Sequence, residues 1–128
     1  MIGSQLQKAI FEALSGVADG RIYDRVPPDA VFPYVTIGDE DILNDGNSCN
    51  DAWSVSATVH GWSRSGTGSK IEVKDLTADI VTVLENELTV TDFLIVVAEL
   101  ESARIISDPD GITDHAIITI RYELEPIE

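Results

Sequence analysis

Two histidines, one cysteine and many carboxylates are the side chains from which this 128-residue sequence would have to build a reaction centre. His60 and His115 each fall inside a segment that alternates polar and apolar residues. Each therefore reads as a partly exposed strand histidine rather than as a general base with an orienting partner. Cys49 together with those two histidines gives no zinc ligand set at a recognisable spacing. Ser15-Gly16 and Ser65-Gly66 lack the Gly-x-Ser-x-Gly turn that presents a hydrolase nucleophile. Gly61 and Gly66 stand at P-loop spacing ahead of a helical segment, but Thr67 occupies the position that needs lysine. Gly66-Thr67-Gly68 also lacks the third glycine of a dinucleotide fingerprint. A carboxylate pair could serve as acid and base, yet with 23 Asp and Glu residues no pair is singled out. No catalytic residue, cofactor or metal ligand is assigned, and the chain is expected not to be an enzyme.

One acidic stretch merits a separate test. Asp39 to Asp51 reads Asp-Glu-Asp-Ile-Leu-Asn-Asp-Gly-Asn-Ser-Cys-Asn-Asp, a supply of hard oxygen ligands suited to calcium. Counted from Asp39, the third position is Asp41, but the fifth is Leu43 and the sixth is Asn44. The glycine and the distal glutamate of a calcium loop are both missing. The stretch is expected to be a mobile, solvated loop, with a monomeric acidic binding or regulatory module, cation-responsive through this loop, as the alternative function.

The elements that would position these groups are well punctuated. Residues 4–17 are expected to form a helix, with Ser4 and Gln7 at capping-box spacing and Leu6, Ala9, Ile10, Ala13, Leu14 and Val17 on one stripe. Residues 21–26 and 34–37 read as two short strands joined by a proline-stiffened connection, the second closed by Gly38. Residues 52–62 form the clearest strand. Trp53, Val55, Ala57, Val59 and Gly61 share one face, and Ser54, Ser56, Thr58, His60 and Trp62 share the other, which suits a sheet covered on one side only. A second helix is expected over residues 70–88, opened by Ser69 and Glu72 and buried through Val73, Leu76, Ile80, Val83, Leu84 and Leu88. The last third reads as a β-hairpin, residues 94–106 and 115–123, turned by Asp108-Pro109-Asp110-Gly111 and bent near residues 99–103. Residues 124–128 are expected to be a short tail. The order α-β-β-β-α-β-β predicts one α+β domain over 1–128, two helices packed on one face of a mostly antiparallel sheet.

Composition narrows the partners. Against 23 acidic residues stand 8 basic ones, a formal net charge of -15, which argues against gripping nucleic-acid phosphates or anionic lipid. With 44% apolar residues the chain can bury an ordinary core. Its single cysteine allows no internal disulfide. Met1-Ile2-Gly3 does not open a basic-then-apolar leader and no apolar run is long enough to span a bilayer, so a soluble protein without a membrane partner is expected.

Several stretches carry a family likeness. Arg21-Ile22-Tyr23-Asp24 with Pro27-Pro28, then Pro33-Tyr34-Val35-Thr36-Ile37-Gly38, Trp62-Ser63-Arg64, Glu101-Ser102-Ala103-Arg104 and Asp108-Pro109-Asp110-Gly111 occur in that order. The ordered set resembles the small phage tail-completion family, the tail terminators of siphophage-like particles and gene transfer agents. That resemblance implies a structural protein, a homo-hexameric ring on the head-proximal end of the tail tube that stops tube polymerisation and offers a head-docking surface. It implies the tail tube protein and head-tail connector proteins as partners, DNA passing through without specific binding, and no cofactor. Assembly would take place in the bacterial cytoplasm, with the chain ending in the phage-like particle; a neighbouring neck or minor tail component has a similar design. Asp39, Glu40, Asp41 and Asp45 of the acidic stretch, with Trp62 and Arg64, are the candidate contacts to neighbouring subunits.

Overall fold

The computed structural model describes residues 2–127. Helix α1 spans Gly3–Ala13 and is followed by two 3-10 turns, Leu14–Gly16 and Ala18–Gly20. Strands β1 (Ile22–Tyr23), β2 (Tyr34–Asn44) and β3 (Trp53–Ser63) come next, then helix α2 (Ile71–Asn86) and strands β4 (Phe93–Ser107) and β5 (Asp114–Pro126). The five strands form one sheet in the order β1-β2-β3-β5-β4. Every neighbouring pair is antiparallel except β1 with β2. This is the expected α+β architecture in the expected element order.

The core lies between the helices and one sheet face. The α1 stripe buries Leu6, Ala9 and Ile10, and α2 buries Val73, Leu76, Ile80 and Leu84. They meet Val55, Ala57 and Val59 of β3 and Ala116, Ile118, Ile120, Tyr122 and Leu124 of β5 in a single cluster. Burial alternates along both strands, as a sheet with one covered face requires. Each fully buried aliphatic side chain contributes about 1.5–3 kcal/mol relative to exposure. Tyr122 carries its hydroxyl into this core and donates it to the Leu84 carbonyl at 2.7 Å, so the polar atom costs little. At Gly61 the helix comes so close that an added Cβ would lie 3.0 Å from Leu76 Cδ2.

The structure moves several expected boundaries. The acidic stretch is not all loop: residues 39–44 continue β2, with Glu40 to Asn44 paired to Ala57 to Trp53 of β3, leaving only 45–52 as the connection. Gly38 does not end the strand but sits at an irregularity between Ile37 and Glu40. A Cβ there would lie 2.8 Å from both the Thr58 carbonyl oxygen and His60 Nε2, so glycine admits the bulge and the strand resumes. The first strand shrinks to Ile22–Tyr23, because its only ladder is the parallel pairing with Val35 and Thr36. The predicted tail is largely strand, with Leu124 fully buried beneath the helices. Two bulges bend β4, between Ile95 and Val97 and between Leu100 and Ser102, the second inside the expected stretch.

Neither capping box closes reciprocally. Helix α1 starts ahead of Ser4 because Ile2 is fully buried and draws the first turn onto the core. The Gln7 amide donates instead to the Asp24 carboxylate at 3.1 Å. At α2, Ser69 Oγ accepts from the Ile71 N–H at 3.2 Å, but Glu72 is occupied by the Ser63 hydroxyl.

Candidate interaction face

Among the described residues both helices pack on one face of the sheet, and the side chains of the second face follow from strand alternation. Register sets Tyr34, Trp62 and His115 side by side on β2, β3 and β5. The Trp62 indole stacks on the His115 imidazole, centroids 3.7 Å apart and planes 10° from parallel, and lies 6.2 Å from the Tyr34 ring. Trp62 Nε1 donates to Thr36 Oγ1 at 3.1 Å. One rung away, His60 Nδ1 and His115 Nε2 share a hydrogen bond of 2.7 Å. Burial pushes the His60 imidazole below its ordinary pKa, with Asp39 opposing; burial and then the neighbouring His60 lower His115.

Arg64 braces the same end of the sheet. Its guanidinium lies 4.4 Å from the Phe32 ring centroid, donates to Thr113 Oγ1 at 2.8 Å and stands 3.6 Å from Asp110 Oδ2. Asp110 also accepts from the N–H groups of Ile112 and Thr113, while Gly111 takes a φ of 74°. These donors, the Thr113 hydroxyl first, hold the Asp110 carboxyl below the ordinary carboxylate range. The turn after β4 is therefore tied to the strands through one arginine. Towards the middle of the open face the chemistry becomes ionic: Arg121 bridges Glu99 at 2.5 Å and Glu123 at 2.7 Å, and Ser56 donates to Glu101 at 3.0 Å.

The six residues singled out from sequence do not form one site. Trp62 and Arg64 share the aromatic end. Asp39 and Asp41 lie along β2, where Asp41 pairs with Ser56 in register. Glu40 pairs with Ala57 and so faces the helices; burial raises its carboxyl pKa, and its Oε1 is a buried oxygen with no hydrogen-bond partner. Asp45 opens the β2–β3 loop, its N–H bonded to the Ala52 carbonyl at 2.9 Å. In that loop the amides turn inward: Asn47 Oδ1 accepts from Cys49 and Asn50, and Asn44 Oδ1 from Gly46. Among the described residues no group of three or more His, Cys, Asp or Glu side chains converges to hold a metal ion. Sequence reasoning missed the assembly of Tyr34, His60, Trp62 and His115. The usable signal was the polar face of residues 52–62, whose last two members are His60 and Trp62.

The arrangement suits contact better than turnover. The histidine pair has each other as partner. Tyr, Trp and Arg on an unpartnered face are the residue types that dominate protein interfaces.

Comparison with known proteins assigns the chain. The family model described as "Tail completion protein gp17" matches residues 8–124. The tail completion protein gp17 of Bacillus phage SPP1 is 26% identical, the match covering 93% of this chain and 91% of that protein. A solved structure of bacteriophage SPP1 gp17 is similar with a TM-score of 0.55 at 25% identity, covering 98% of this chain and 90% of that one. A chain from the virion of a native gene transfer agent particle shares the fold with a TM-score of 0.84 at 18% identity, covering 97% of each. With nearly its whole length matched, the expected resemblance holds, and the task that comes with it is structural rather than catalytic: the chain belongs to the gp17 tail-completion family.

Proposed function

We propose that the chain is a tail terminator, a subunit of a homo-hexameric ring that caps the head-proximal end of a phage-like tail tube. The ring stops tube polymerisation and presents a surface to the head-tail connector proteins. Family membership supports tail completion, and the observation that carries the ring is the sheet. Among the described residues no helix lies on its second face, where Tyr34, Trp62 and His115 stack, in a chain whose relatives complete tails. The tail tube protein and copies of the chain itself are the partners this surface serves. Trp62, Arg64, Asp39, Asp41 and Asp45 are the proposed contact residues; Glu40 acts through the strand that carries it.

The net charge of -15 fits a passage for DNA that does not hold it, since carboxylates repel phosphate. Assembly in the bacterial cytoplasm, followed by residence in the particle, completes the reading. The test is to remove the chain from particle-producing cells. Tails of uncontrolled length that fail to join heads are the expected result. Tails of normal length on filled heads would refute it.

A further inference from the structure

The sheet has two unlike free edges. β1 pairs with β2 only at Val35 and Thr36, so among the described residues no strand lies on that side of β2 from Ile37 to Asn44. At the opposite end β4 is the last strand. Strands β2, β3, β5 and β4 are successively antiparallel, so β2 and β4 run in opposite directions. A second copy that places its β2 beside β4 continues the antiparallel alternation without a break. Because the two edges differ, such a contact is head-to-tail, the kind that closes into a ring.

The structure also selects part of β4. Its first half is blocked as a template by the two bulges and by Glu85 of α2, whose Oε2 accepts from the Leu100 N–H at 2.9 Å. Residues 102–107 remain. Of the charged side chains on β4, Glu99 is held by Arg121 and Glu101 by Ser56. The Arg104 side chain has no hydrogen bond or ion pair among the described residues, and neither has the Asp41 side chain on β2. Arg104 lies opposite Ile117 and Asp41 opposite Ser56, both on the open face, so the two would stand on the same face of a joined sheet. We propose that the regular free part of β2 of one copy, residues 40–43 beyond its bulge, adds antiparallel to residues 102–105 of β4 of the next, with Arg104 set against Asp41. This rests on the ring reading and supplies its subunit contact.

The test uses the full chain mixed with purified tail tubes, scoring capped tube ends against subunit concentration by electron microscopy. Arg104→Glu and Asp41→Arg are each expected to raise the half-capping concentration at least tenfold. The double variant is expected to return it to within about threefold of the parent, because exchanging the charges restores the pair. Both side chains are exposed, and unchanged melting temperatures will confirm that the variants fold. Single variants that cap like the parent would overturn the edge contact and leave the ring reading intact, as would a double variant as weak as the singles. A parent chain that never caps tubes would overturn both. Hydrogen exchange on capped ends gives an independent readout: protection is expected to rise at residues 40–43 and 102–105. A rise confined to other strands would overturn the contact.

Discussion

Trp62 contributes to the folded chain through two separable interactions, and a mutant cycle with His115 reads one of them directly. Trp62→Phe keeps an aromatic ring but loses the hydrogen bond to Thr36 Oγ1, a cost of about 1 kcal/mol. Trp62→Ala removes the stack on His115 as well, worth about another 1 kcal/mol beyond area. In a domain of this size about 2 kcal/mol lowers Tm by roughly 8 °C. The cycle Trp62→Ala, His115→Ala and the double variant, measured by urea unfolding of the subunit, should return a coupling energy of about 1 kcal/mol. A coupling below about 0.3 kcal/mol would refute the stacking argument. A loss of about 4 kcal/mol or more for Trp62→Ala alone would place the indole in a packed core, contradicting an open face.

Three further outcomes follow from the same geometry. Because burial depresses both histidines, the unfolded chain binds more protons than the folded one below about pH 6.5, so stability should be full above that value and fall as pH drops through the lowered folded values; thermal melts from about pH 7.5 to about pH 5 should show the loss, and a His60→Gln, His115→Gln chain should show less of it. Glu40 works in the opposite sense: its raised carboxyl pKa favours the folded state at acid pH and that advantage is lost as pH rises past its ordinary value, so Glu40→Gln should stabilise the chain at neutral pH in urea unfolding, by an amount that solvent screening keeps small, and a loss would show that Glu40 has a partner. Gly38→Ala drives a Cβ against the Thr58 carbonyl and should cost about 2 kcal/mol by the same assay; a neutral result would mean that the bulge yields.

What the sequence disclosed and what it withheld divide along the range of the forces involved. The α2 stripe and the alternation of β3 and β5 were legible because they repeat every few residues against one core. Residues 39–44 misled because Asp, Glu and Asn are poor strand formers in isolation, whereas pairing with β3 across a glycine bulge makes them strand. Leu124 was read as tail because its burial depends on where α2 lies, which no local pattern states. The His60–His115 bond joins residues 55 apart and depends on a register between two strands that are not consecutive. Trp62 was legible as an exception on a polar face, but its Tyr34 and His115 neighbours were not, because they come from different strands.

The proposed function is that this chain closes the end of a tube. The most direct measurement is electron cryomicroscopy of purified tail tubes mixed with the chain, counting copies at each end and along the wall. A six-fold ring on one end, no further growth of that end when tube protein is added, and a bare wall are the expected results. Copies scattered along the tube, or ends that keep growing with the chain bound, would contradict it.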